Sequence, residues 1–462
     1  MKQLSQLNPS WTKAVAVLTG TLLAALAGQR IAQTGVTIQD LIVVVLAGTA
    51  GATLLFGQAG VRVGFYCWIL MFMLGYRVIH VTTYFGLHPL VLSLLGLLGI
   101  LLIRISTFEQ RTLSWVTPPA ALALLPFWIL GWLVGLVRGT PADQMLSESL
   151  NFVMLVPLLI VMDYVLVRPR DWKLVVALFY LTGTLIAVIG LLEYVLPGVT
   201  QFVPAAEIAS AERQTGDDFA RAAFLTWGSA VATFVCALAA PLIIPLWGWA
   251  RTLPLRLGLA VAWLAMLGGI YIGGFRSLWV EVALCALFLL VLRKGWQGAA
   301  GAAVGLGVVW LLLPESGRAR LLTLVAALQG QFEDTSSLDR WQRASGAWNA
   351  IVDNPFGLGW TGTGWVHSDF LQVGTDLGIL AALLFLGWYL ATFWSLLRRH
   401  LQEPGDLLLL GLLGSFLLAG GQLMSQGVTW LPQNALPLWF VWALVILRLR
   451  QAPAAPVQNE PA

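Results

Sequence analysis

His367 stands in the stretch WVHSDFLQVGTDLG, residues 365–378, between a glycine-rich segment and a long apolar run. Arg340 and Arg343 lie just upstream, Arg318 and Arg320 before them, and Arg276 and Arg221 further back. An imidazole with a pKa near 6.5 can take a proton at neutral pH. A guanidinium offers a planar fork of donors that grips a phosphate or carboxylate with two parallel bonds, which a lysine cannot do. Together these groups can deprotonate a hydroxyl and stabilise an anion whose charge grows as a bond breaks.

Other chemistries fit less well. Ser368 and Asp369 flank His367, but the members of a Ser-His-Asp triad converge from separate chain positions, and no G-x-S-x-G elbow is present. The histidines, His80, His88, His367 and His400, include no H-x-x-x-H pair. Asp217 and Asp218 are adjacent and read as solvated. No metal site and no cofactor is therefore expected. GLGWTG at 357–362 has the letters of a dinucleotide fingerprint but follows a Pro break instead of a strand.

The elements that must position these residues are membrane helices. The chain has 462 residues, 58% hydrophobic and 10% charged, where soluble domains carry about 25% charged residues. Apolar runs of about 20 residues recur from end to end. The expected fold is an all-α polytopic bundle of about 12–14 transmembrane helices with one large extracytoplasmic loop. Spans are expected near 13–29, 38–57, 62–79, 88–104, 119–138, 150–168, 172–196, 223–249, 254–274, 277–293, 297–313, 370–397, 405–424 and 432–449. The regions that follow are N-terminal helices at 1–196, an outer loop at 197–222, and further helices at 223–313. A large outer loop at 314–369, C-terminal helices at 370–449 and a disordered cytoplasmic tail at 450–462 complete them. Cys67, Cys236 and Cys285 all lie in apolar runs, a setting that argues against disulfides. The first apolar run lacks a cleavage signal and reads as a retained helix.

Sidedness comes from the basic residues. With the N-terminus inside, alternating spans put 16 of the 26 Lys and Arg residues on the inner side, including all four lysines. The outer side keeps arginines only, among them all six named above. Arg138 reads as a side chain snorkelling at the membrane edge. Within the large outer loop, SSLDRWQRASGAWNAIVDNP carries a capping-box pattern from Ser336 to Asp339. Leu338, Trp341, Ala344, Trp348 and Val352 then share one helical stripe. Asn354-Pro355 ends the helix, and the glycines of GLGWTGTGW let the backbone approach other groups closely.

The stretch from about Ala211 to Ala382 resembles the O-antigen ligase and polymerase family of bacterial inner-membrane enzymes. The family's large loop opens with R-x-x-x-L, matched by Arg318–Leu322 and Arg320–Leu324. It closes with H-[NSQ]-x9-G-x-x-G, matched by His367, Ser368 and Gly378, with Ala381 in place of the last glycine. FRSLW around Arg276 and RWQRASGAWNAIVDNPFGLGW are similar to two further family segments; RAAFLTWGSAVATF, with Arg221, matches a third without its Pro-Asn. The resemblance implies an inverting, metal-independent glycosyltransferase in the inner membrane, its active site facing the periplasm or exterior. It would move a glycan from an undecaprenyl diphosphate donor to a glycan, lipid A core or protein acceptor. His367 would be the base, and Arg221, Arg276, Arg318, Arg320, Arg340 and Arg343 would bind the diphosphate. The lipid bilayer is an expected partner and nucleic acid is not. The alternative is a secondary transporter of a small anionic solute, which would place its site mid-membrane among broken, repeated helices.

Overall fold

The computed structural model describes residues 58–72, 89–105, 118–196, 229–331, 335–362, 364, 366–429 and 432–451. The first two expected spans, the outer loop at 197–222, Arg221, His80, His88 and the tail from 452 on lie outside the described residues.

All regular structure among the described residues is helical. The helices are α1 (Gln58–Met71), α2 (Pro89–Arg104), α3 (Pro119–Ala123), α4 (Leu125–Val137), α5 (Ala142–Val153), α6 (Leu155–Val165), α7 (Pro169–Val195), α8 (Ser229–Ala239), α9 (Ile243–Trp249) and α10 (Leu253–Ile272). They continue with α11 (Arg276–Lys294), α12 (Trp296–Leu312), α13 (Glu315–Leu328), α14 (Thr335–Asp353), α15 (Asp369–Leu377), α16 (Ile379–Gln402), α17 (Leu407–Ser425) and α18 (Pro432–Arg450). Among the described residues, six helices or helix runs are long and apolar enough to cross a membrane, or eight if two bent pairs each count as one span. The bent pairs are α5–α6 and α12–α13, the latter turning by 119°. α11 also has spanning length, at 19 residues, but carries Arg276, Glu281, Arg293 and Lys294.

Helices in lipid gain little from the hydrophobic effect between themselves, so close van der Waals packing must hold them. Small residues provide it. A Cβ on Gly183 would lie 2.7 Å from the Ala239 Cβ, and one on Gly414 would lie 2.8 Å from Pro241. Proline in turn breaks the α8–α9 run at a 3-10 turn, Ala240–Leu242. The C-terminal half is centred on Trp442, whose ring lies 4.6 Å from Trp388, 5.2 Å from Phe416 and 5.4 Å from Trp439. Cys236 and Cys285 are buried free thiols in this packing, donating to the Gly183 and Gly414 carbonyls at 3.4 Å.

The bundle has two distinct ends. Gly183 of α7 meets Met266 of α10 and, further along both, Leu191 meets Gly268, so α7 and α10 run parallel; α8 runs antiparallel, with Ala239 at Gly183 and Thr233 at Gly273. One end therefore gathers Arg168, Lys173, Arg293, Lys294, Arg399 and Arg448. The other holds the start of α11, α13, α14 and His367. α7 alone, with 27 residues, separates the ends by about 40 Å at 1.5 Å per residue.

Candidate functional site

The expected loop helix forms as α14, but its buried face differs from the stripe expected. Trp341, Trp348 and Val352 are more than half exposed, while Ala347 and Ile351 are buried. The reason lies across the contact: a Cβ on Gly374 of α15 would meet Ile351 Cδ1 at 2.7 Å. α14 thus docks through Ala347 and Ile351 on a notch in α15, and its tryptophans stay exposed.

The expected span 370–397 is also interrupted. Gly378, with φ of +96°, ends α15 and starts α16. The glycine-rich segment that precedes His367 stitches this break to α4. Leu358 N donates to the Thr375 carbonyl at 2.7 Å and Gly359 N to the Asp376 carbonyl at 3.0 Å. Trp360 Nε1 donates to the Trp128 carbonyl at 3.2 Å. Gly359, at φ +84°, lies so close to α4 that a Cβ would sit 2.5 Å from the Gly135 nitrogen. The close approach expected of these glycines is real, and its partner is protein backbone.

His367 is held from both sides. Val366 N donates to Gln372 Oε1 at 2.8 Å, and Gln372 Nε2 donates to Asp376 at 3.0 Å. Two residues after His367, the fully buried Asp369 accepts from Val428 N at 2.5 Å, from Thr429 N at 2.8 Å and from the Thr429 hydroxyl. Asp369 is thus the tie between this segment and the α17–α18 connection. Its carboxylate is committed there, which excludes it as a triad partner.

The His367 side chain is 15% exposed, and its Nε2 faces the Asp339 carboxylate of α14 at 3.8 Å. Arg343 Nε donates to the same carboxylate at 2.8 Å across one helical turn. That bond holds the Asp339 pKa below its ordinary value. His367 is pushed down to about 4, first by burial, then by the Arg340 and Arg343 cations, against the opposing pull of Asp339. Its imidazole is therefore neutral at pH 7, the form a proton acceptor must have, and a weaker base than an exposed imidazole until an anion beside it offsets the two cations.

A second cluster is built on α11 and α13. The Gly273-Gly274 turn, with Gly274 at φ +74°, delivers Arg276 to the first turn of α11. A cation there opposes the positive end of the helix dipole, an arrangement an anion would relieve. Arg276 Nη1 donates to the Thr323 hydroxyl on α13, which donates onward to the Arg320 carbonyl at 2.9 Å. Arg318 lies on the same helix, and its Nε is buried without a hydrogen-bond partner among the described residues. Packing fixes the helix angle: a Cβ on Gly317 would lie 3.0 Å from the Tyr271 hydroxyl.

Glu281 links the two clusters. It accepts from Gln422 Nε2 at 2.6 Å and from the Ser425 hydroxyl at 2.9 Å. Arg340 lies within electrostatic reach of both Glu281 and His367. Five of the six expected arginines, Arg276, Arg318, Arg320, Arg340 and Arg343, thus lie with His367 at one end of the bundle; Arg221 lies outside the described residues. Glu281, Asp369 and Gln372 were not expected as site residues. Gln422 and Ser425, at spacing i, i+3 near the end of a mostly apolar helix, form a polar face that points to a buried charge. Arg138 is exposed at the C-terminal end of α4, where the dipole favours a cation. Among the described residues no three His, Cys, Asp or Glu side chains gather as a metal-binding set. No family model matches the chain, and no curated protein matches it.

Proposed function

We propose that the chain is an inverting glycosyltransferase of the O-antigen ligase and polymerase type. It transfers a glycan from undecaprenyl diphosphate to a glycan, lipid A core or protein acceptor, without metal or cofactor. It has twelve to fourteen spans in a bacterial inner membrane, with residues 314–369 outside the cytoplasm. The observation that carries the reading is a histidine held neutral among arginines at the lysine-poor end of an apolar bundle. The split of Lys and Arg between the ends supports the sidedness.

The chemistry balances without a further reactant. The acceptor hydroxyl oxygen bonds to the anomeric carbon as the bond from that carbon to the diphosphate breaks. The hydroxyl proton passes to the His367 imidazole, and the bonding pair leaves with the diphosphate. Arg276, Arg318 and Arg320 stabilise the departing charge, with Arg340 and Arg343 beside the base. The buried Arg318 Nε–H gains an acceptor when a phosphate oxygen arrives, which offsets the cost of burying it alone.

One observation favours a transporter of a small anionic solute as a second reading. The α15–α16 helix is broken at Gly378, and the buried Asp376 and half-buried Glu148 lie near that break, each with one buried oxygen lacking a hydrogen bond among the described residues. Broken helices and buried carboxyls are what proton-coupled carriers use.

Purified protein given a lipid-diphosphate glycan donor and acceptor separates the two. His367→Ala should slow transfer by roughly 10²–10⁴. Arg276→Lys and Arg318→Lys, which keep charge but lose the fork, should each cost roughly 10²–10³. Arg138→Lys should be near neutral. Transfer unaffected in His367→Ala and in the Arg318/Arg320 double lysine variant, with solute uptake lost, would establish the carrier instead.

A further inference from the structure

The end of the bundle opposite His367 carries a cavity of about 560 Å³. It lies where α7 and α17 begin and α9 and α18 end. Its walls include three cations, Arg168, Lys173 and Arg448, and one carboxylate, Asp406, with Trp172 and Trp249 on the apolar side.

The carboxylate is already committed. Asp406 Oδ1 caps α17, accepting from Leu408 N at 2.9 Å and Leu409 N at 3.2 Å, while Oδ2 takes Arg448 Nη2. Even counted at full charge, Asp406 leaves the cavity with two net positive charges from three cations. Arg448 Nε is buried with no hydrogen-bond partner among the described residues. Lys173 Nζ stands 5.5 Å from the centre of the Trp249 ring, which orients it beside an aromatic wall.

The position selects the ligand class. The cavity opens at the depth where apolar spans stop and basic residues begin, which is the headgroup level of a bilayer. It combines a polar, cationic floor with tryptophan and leucine walls, and its volume suits a small headgroup. A soluble anion would use the cations but not the apolar walls.

We propose that this cavity binds the phosphodiester headgroup of an anionic membrane phospholipid. The phosphate rests among Arg168, Lys173 and Arg448, and the acyl chains run along the apolar flank of the bundle. The site is independent of the glycan-transfer reading, since it lies at the other end of the helices.

Native mass spectrometry of the full chain, with either phosphatidylglycerol or phosphatidylcholine added in detergent, tests this. The unaltered chain should retain phosphatidylglycerol in preference to phosphatidylcholine. Arg168→Gln/Lys173→Gln removes two exposed cations from the cavity wall. At about 1 kcal/mol for each, it should weaken retention about 30-fold. Its melting temperature in phosphatidylcholine should match that of the unaltered chain, which separates lost binding from lost fold. Equal retention of both lipids, or phosphatidylglycerol held as tightly by the double variant, overturns the proposal. Inorganic phosphate alone raising the melting temperature as much as phosphatidylglycerol does would make this a free-phosphate site and overturn it as well.

Discussion

If Arg340 helps to hold His367 neutral, removing its charge must move the histidine's titration in a known direction. A cation beside an imidazole disfavours the protonated form, so Arg340→Gln raises the His367 pKa from about 4 toward the ordinary 6.5. It does not arrive there, because burial is the largest cause and remains. Asp339→Asn acts with the opposite sign. Asp339 favours the charged imidazole, so its removal lowers the pKa further. The pH dependence of kcat/KM reports the free enzyme. Its acid limb should lie near pH 4 in the unaltered chain, well below the 6.5 of an exposed histidine. In Arg340→Gln the limb shifts upward, and in Asp339→Asn downward. The kcat profile should fall at higher pH than that of kcat/KM, because a bound diphosphate stabilises the imidazolium. A measurement free of any assumed activity uses diethyl pyrocarbonate, which modifies only the neutral imidazole. The rate of modification of the His367 peptide, followed by mass spectrometry, should keep its plateau down to about pH 5 in the unaltered chain, since its pKa is about 4. A His367 titration near 6.5, unmoved by either substitution, would refute the electrostatic account of this site.

Three further outcomes follow from the geometry. Asp369→Ala leaves two buried backbone amides and a hydroxyl unsatisfied, which should cost about 3 kcal/mol or more in thermal unfolding and most of the activity, while Asp369→Asn retains an acceptor and should lose less. Gly359→Ala forces a Cβ to 2.5 Å from the Gly135 nitrogen at φ +84°, so its melting temperature should fall clearly, whereas alanine at Gly346, which has no atoms nearby, should be tolerated. In a background without native cysteines, Ser337→Cys should react with a membrane-impermeant thiol reagent on intact cells and Gln402→Cys only after permeabilisation; the reverse pattern would invert the topology and remove the site from the outer face.

Much of the helical framework was determined by the sequence alone. Long apolar runs can satisfy their backbone groups in lipid only as helices, so α7, α10 and α17 fall where hydropathy puts them. Residue chemistry likewise marked His367 and the arginines as candidates, because together they offer a proton acceptor and anion-binding forks within one stretch of chain. Three-dimensional packing decided what hydropathy is blind to. Gly378 breaks an apolar run where Pro355 and Phe356 backbone atoms leave no room for a Cβ, contacts made across 23 and 22 positions. α14 buries Ala347 and Ile351 instead of its tryptophans, because the notch at Gly374 takes the Ile351 side chain and so sets which face of the helix docks. Glu281 became a site residue only when α17 brought Gln422 and Ser425 to it across 141 and 144 positions. Asp369 reads in sequence as a neighbour of His367, and only the fold turns its carboxylate away to tie down the segment that holds this histidine.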